Sequence, residues 1–300
     1  MKGGTAIRGI IVPILTPMNE RERVNEQELR AHIDRMLEAG VDGIFCLGTN
    51  GEAYALTARE KRRVIDCCVE HVNGRVPVYA GTGCVTTAQT VSLSRYARRA
   101  GVDVLSVITP YFAAVSQEQL YGHYRDVSES VDLPVLLYNI PARTGVAIAP
   151  ETFARLIRLP NIAGIKDSSG DMDNMRRYLH MAKDSEAVVL SGNDSLILPN
   201  LREGGAGGIA GCANVYPHTL VRIYRAFLEG DLQAARAAQD SLVPLRACFA
   251  YGNPNTIIKT AVRMLGHPVG ACRKPFDGLS QKGMEALALA LKNGPEGGAV

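Results

Sequence analysis

This 300-residue sequence predicts an α/β protein, a (β/α)8 TIM barrel with a C-terminal helical extension. Three observations predict it. Eight short β-branched runs alternate with longer stretches of helical period. The runs are apolar almost throughout, as strands covered on both faces are. After about Leu228 the strand signal stops and only helical segments follow. Three hundred residues match roughly two average domains by length, yet α/β barrels reach that size as one. An open doubly wound sheet is the alternative, because closure of a sheet cannot be read from one sequence.

The first strand is placed at residues 9–15. A helix follows, with Leu29, Ile33, Met36 and Leu37 at i, i+4, i+7 and i+8 and Gly40 as its stop. The second strand, 43–47, leads to a helix opened by the capping box Thr57-Ala58-Arg59-Glu60, with Val64, Ile65, Cys68, Val69 and Val72 on one face. Strands at 78–81 and 104–108 come next, and Ser116-Gln117-Glu118-Gln119 opens another helix in the same way. The remaining strands are placed at 135–139, 162–166, 188–191 and 207–210. A weak internal echo at 38–44, 99–105 and 203–209 ends a helix on glycine and enters an apolar strand, marking a repeated helix-to-strand joint. Helices are expected at 232–249, 256–265 and 281–291. The resulting organisation is a barrel over 1–228 carrying the active site, helices packed on it over 229–293, and a frayed tail over 294–300 that is rich in Gly and Pro.

Composition excludes several classes of function. Lys+Arg 33 against Asp+Glu 30 gives a charge of only +3, with no basic runs to track phosphates, so nucleic acid is not an expected partner. The longest apolar stretch, 9–15, is too short for a membrane span, and the N-terminus does not read as a secretion signal; a cytoplasmic protein is expected. Seven cysteines without a CxxC pair read as reduced core thiols. The six histidines show no HxH or HExxH, and neither GxGxxG nor GxxxxGK[ST] occurs. No cofactor or metal is therefore expected, and the chemistry falls to side chains.

In a barrel that chemistry collects at the C-terminal ends of the strands. Lys166 closes the apolar run Ile162-Ala163-Gly164-Ile165, which would set its nitrogen in the barrel mouth. A free lysine has a pKa of about 10.4, and desolvation to about 7.5 would make roughly a quarter of it a neutral nucleophile at pH 7, able to attack a carbonyl. The plainer alternative is a lysine paired with Asp167 or snorkelling at the rim. Tyr138 ends the preceding strand, where a phenol can relay protons or simply be an amphipathic aromatic. Thr49 and Asn50, in a glycine-flanked turn, offer hydroxyl, amide and backbone N–H groups to a carboxylate, although such turns are usually only turns. Arg143 offers a bidentate fork for a second carboxylate, or a solvated loop charge. The glycine run 204–208 precedes the last strand and lies at the wrong end of the barrel for a phosphate cradle.

Four segments, GTNGE at 48–52, YNIPARTG at 138–145, GIKDSSG at 164–170 and GGIAGCANV at 207–215, resemble the dihydrodipicolinate synthase/N-acetylneuraminate lyase family, in order and spacing along essentially the whole chain. The resemblance implies a (β/α)8 barrel with C-terminal helices, commonly a homotetramer built as a dimer of dimers. It also implies a class I aldolase-like lyase that forms a Schiff base with pyruvate or another 2-oxo acid and takes an aldehyde as second substrate. Lys166 matches the imine-forming lysine, Tyr138 the proton relay, Thr49 the hydroxyl linking that relay to the site, and Ile209 the position whose carbonyl faces the substrate. Arg143 matches the arginine that receives the aldehyde's carboxylate in the synthases. Two departures bear on the substrate. Phe112 replaces the second tyrosine that reaches into a neighbouring subunit's site, and Asn50 replaces the second Thr of the usual GTTGE, a pattern that resembles 4-hydroxy-2-oxoglutarate aldolases. Aldol cleavage of 4-hydroxy-2-oxoglutarate or a 2-keto-3-deoxy sugar acid, or dehydration of such an acid, therefore stands beside dihydrodipicolinate synthase activity. A noncatalytic ligand-sensing barrel is the alternative of another class.

Overall fold

The structure, a computed structural model, describes residues 6–296. Eight parallel strands follow one another in chain order around a closed barrel: β1 (Gly9–Pro13), β2 (Gly43–Cys46), β3 (Val78–Gly81), β4 (Val104–Ile108), β5 (Val135–Asn139), β6 (Ile162–Asp167), β7 (Val188–Ser191) and β8 (Gly207–Ile209). Closure decides between the two architectures left open by the sequence. Helices separate the strands and continue past β8 to Gln281–Lys292. The chain divides into two compact units, one of Met1–Gly9 and Pro77–Ile209, the other of Ile10–Val76 and Ala210–Val300.

Local sequence explains the joints. The carboxylate of Asp103, just past a helix that stops at Gly101 (φ +97°), accepts the N–H of Val78 at 2.8 Å and so ties the entrance of β4 to β3 in the first unit. In the second unit Asp42 does the same for Ile10, again at 2.8 Å, which gives the repeated Gly-Val-Asp echo a physical cause. Both expected capping boxes are present: Thr57 and Glu60 satisfy each other's backbone N–H groups, as do Ser116 and Gln119. The glycine run serves packing where it enters β8, since a Cβ at Gly207 would collide with the carbonyl oxygen of Gly9.

Some boundaries move, for identifiable reasons. The first strand ends at Pro13 rather than 15, and the Leu15 N–H donates to Asn214 Oδ1 at 3.2 Å. The second stops at Cys46 because Leu47 adopts a left-handed φ of +58°. The helix expected over 232–249 breaks after Asp240 and resumes at Val243–Ala247, where Pro244 fits only a first turn because its ring would clash with the carbonyl four residues back. The helix expected at 256–265 starts at Pro254, with the Asn253 side chain accepting the Asn255 N–H. Of the tail 294–300, residues 297–300 lie outside the described residues; Glu296 Oε1 accepts from Thr219 N–H at 2.6 Å and from its hydroxyl at 2.7 Å. Among the described residues no helix is long and apolar enough to cross a membrane.

Two buried histidines make the fold acid-sensitive. His32 is 4% exposed and bonded through Nε2 to Asn214 Oδ1, and burial together with the nearby Arg35 guanidinium lowers its pKa to about 3. His123, 5% exposed and bonded to Thr87, is lowered by burial to about 4. Between these values and the ordinary 6.5 the unfolded chain binds protons that the folded chain does not, so stability falls as pH falls. At about 1.36 kcal/mol per unit, each histidine removes about 2 kcal/mol by roughly pH 5. Glu60, held at about 2 by the Arg273 guanidinium, extends the loss below its ordinary 4.5. The urea midpoint is expected to drop clearly between pH 7 and pH 5; equal midpoints would contradict this account.

Candidate active site

The pairing of β5 with β6 places Tyr138 opposite Lys166 and Asn139 opposite Asp167. Partners on adjacent parallel strands project to the same side, about 4.8 Å apart, whereas the next residue along points to the other face. Tyr138 and Lys166 thus share one side of the sheet and are 4% and 3% exposed. Lys166 Nζ lies 3.9 Å from the centroid of the Tyr138 ring, over its face. The nitrogen points into the protein and beside the phenol.

Asn139 and Asp167, on the opposite face, lock that register. The fully buried Asp167 carboxylate accepts from Asn139 Nδ2 at 2.7 Å, Ser169 Oγ at 2.7 Å and Ser169 N–H at 3.2 Å. Asn139 Oδ1 in turn accepts the Ile148 N–H at 3.0 Å. These bonds join the segments after β5 and β6. They also show why Asp167, the nearest carboxylate in sequence, serves the strand pair.

Room for the lysine comes from the residue that follows β7. A Cβ at Gly192 would collide with Ser168 Oγ and stand 2.8 Å from Lys166 Cε, so hydroxyl and lysine stem border the same small gap. The Ser168 hydroxyl is buried without a hydrogen-bond partner, as is that of Thr109, whose N–H donates to the Tyr138 carbonyl at 3.3 Å. A buried hydroxyl without a partner is costly unless something else supplies one. The sequence places Thr109, Ser168 and Gly192 at strand ends but gives none of them a role. Ser168 had a signal, because it lies two residues after Lys166 and so on its face by the strand period; Gly192 had none.

Arg143 sits exposed on a single turn, Pro141–Thr144, directly after β5, and Thr144 anchors that turn through Oγ1 to the carbonyls of Ile140 and Val146. Ile209 is the last residue of β8 and 1% exposed. Thr49 and Asn50 belong to the other unit, half-buried in the turn after β2. There the Gly51 carbonyl accepts from Thr16 Oγ1 at 2.7 Å, and the Glu52 carboxylate, 0% exposed, meets Lys259 Nζ at 2.6 Å. Among the described residues no cluster of three or more His, Cys, Asp or Glu could hold a metal ion. The geometry thus brings Tyr138 and Lys166 together and adds Ser168 and Gly192 to them.

Comparison with known proteins agrees with this architecture. The model of the dihydrodipicolinate synthetase family matches residues 6–294. A 4-hydroxy-tetrahydrodipicolinate synthase of Methanopyrus kandleri is 40% identical over 98% of this chain and 100% of its own length. Among solved structures, the dihydrodipicolinate synthase of Thermotoga maritima superposes with a TM-score of 0.92 at 33% identity, covering 96% of this chain and 98% of that one. A prophage protein of E. coli K12 belonging to the dihydrodipicolinic acid synthase family, solved in complex with pyruvate, gives a TM-score of 0.92 at 32% identity over 95% and 98% of the two chains.

Proposed function

The chain belongs to the dihydrodipicolinate synthetase family and is a lyase of its class I aldolase type, and from that premise we propose that it forms an imine between Lys166 and pyruvate or a related 2-oxo acid. The observation that carries this reading is the Lys166 nitrogen, enclosed and held over the Tyr138 ring. In the proposed sequence the neutral amine adds to the keto carbon, the carbinolamine loses its oxygen as water with Tyr138 relaying protons, and the protonated imine acts as electron sink. Loss of a proton from the adjacent carbon gives an enamine that adds to an aldehyde, and the reverse path cleaves a carbon–carbon bond. Thr49 and Asn50 receive the 2-oxo acid's carboxylate, Thr49 also linking the relay to the site. Ile209 offers its carbonyl to the substrate, and Arg143 takes a second carboxylate on the aldehyde.

The first activity assigned is condensation with aspartate semialdehyde, supported by Arg143 and by the names of the curated relatives. Ser168 favours a second reading. Its buried hydroxyl beside the lysine suits a substrate hydroxyl, as in aldol cleavage of 4-hydroxy-2-oxoglutarate or a 2-keto-3-deoxy sugar acid. Steady-state rates on aspartate semialdehyde with pyruvate, against those two acids, separate the readings: kcat/KM is expected to be highest for the semialdehyde, and a higher value for a hydroxy acid replaces the first assignment with the second. The reading includes a cytoplasmic homotetramer built as a dimer of dimers. Phe112 supports association, because it is 99% exposed and held at a left-handed φ of +79°, a costly way to display an aromatic ring unless a second copy covers it.

A further inference from the structure

The turn that carries Thr49 and Asn50 is bounded by two non-glycine residues in left-handed backbone, Leu47 at φ +58° and Glu52 at φ +54°. Such conformations persist only where the surroundings over-determine them. Here the surroundings come from more than 200 residues away in sequence, within the same compact unit. Asn255 and Lys259 lie one turn apart on the helix Pro254–Met264, on one face, and are 2% and 1% exposed. Asn255 Nδ2 donates to the Thr49 carbonyl at 2.7 Å and to the Tyr54 hydroxyl at 3.1 Å, and the Thr49 carbonyl also accepts the Glu52 N–H at 3.1 Å. Lys259 Nζ donates to Glu52 Oε1 at 2.6 Å and to the Thr16 carbonyl at 2.8 Å. The Arg273 N–H donates to Glu52 Oε2 at 2.8 Å.

A fully buried ion pair is a poor source of stability, because desolvation consumes most of the attraction; its best-attested use is to impose one arrangement on the chain around it. This pair and the Asn255 amide grip the two ends of the turn and leave the side chains of Thr49 and Asn50 between them. We infer that Asn255 and Lys259 are positioning residues for substrate, setting the Thr49–Asn50 turn through the Thr49 carbonyl and the Glu52 carboxylate and so governing affinity for the 2-oxo acid's carboxylate. The inference rests on the proposed role of Thr49 and Asn50 in carboxylate binding. It makes the C-terminal helical extension part of the binding apparatus without any contact to substrate.

The test is borohydride trapping of pyruvate on the full-length protein, read by mass spectrometry as a function of pyruvate concentration, alongside steady-state kinetics. Asn255→Leu removes the donor at similar volume, and Asn255→Asp keeps the shape but turns a carboxylate oxygen toward the Thr49 carbonyl. Both are expected to give the same adduct mass and plateau, with half-saturating pyruvate raised about tenfold, the upper end of what losing the bond to the Thr49 carbonyl would cost, and kcat within about twofold. Lys259→Met alone strands a buried carboxylate and is expected to fold poorly. The double variant Glu52→Gln with Lys259→Met removes both charges and is expected to fold with the same rise. Unchanged half-saturation in both Asn255 variants, even with a lowered melting temperature, overturns the positioning role and leaves the imine reading intact. No adduct in the unaltered protein overturns both.

Discussion

Lys166→Arg is expected to leave the protein folded and unable to trap pyruvate: after borohydride treatment its mass is that of the untreated chain, and turnover falls by about a thousandfold or more. Arginine keeps the positive charge and a long stem but stays protonated and offers no nucleophilic amine. The substitution therefore separates electrostatics from covalent chemistry. The site is tight, with Lys166 3% exposed and its Cε bordering the gap at Gly192, so a folding check must accompany it. A pyruvate adduct on the variant at another lysine, or undiminished turnover, would remove Lys166 from the reaction.

Tyr138→Phe has the second large effect and isolates a different atom. The lysine nitrogen lies over the ring face, 3.9 Å from the centroid, and phenylalanine preserves that face. What disappears is the hydroxyl. If the phenol relays protons during imine formation and release, kcat falls by about 10² to 10⁴. The adduct still appears under long incubation with borohydride, because the nucleophile is intact. Stopped-flow measurement of imine formation distinguishes this from a packing effect: a rate equal to that of the unaltered protein would mean that Tyr138 serves only as a platform for the lysine.

Much of the barrel was legible in the chain because its signals are local. Short strand runs and the capping boxes at Thr57 and Ser116 arise between residues close in sequence or from a period the side chains must obey, whereas the Asp42 and Asp103 joints recur in the letters although each bonds a residue 32 or 25 positions away. Lys166 and Tyr138 were visible for the same reason, since a strand's end and the polar residues near it are both local features. Ser168 fell on the lysine's face by simple alternation, but nothing in the sequence said that its hydroxyl would lack a partner. The cause of the break, Pro244, was also present in the letters, inside the helix expected at 232–249.

By itself, then, the sequence determined the number of strands, the parallel pattern, the candidate amine at Lys166 and the family resemblance, because periodicity, capping and residue chemistry act over a few residues. Only the tertiary structure decided that the sheet closes, that Gly192 makes room for the Lys166 stem, and that Asn255 and Lys259 are buried against the Thr49–Glu52 turn. On a helix, an asparagine and a lysine one turn apart read as a solvated face. Whether they meet water or a carbonyl and a carboxylate is set by what packs on them, and a hydrogen bond between residues 206 or 207 positions apart leaves no trace in local sequence.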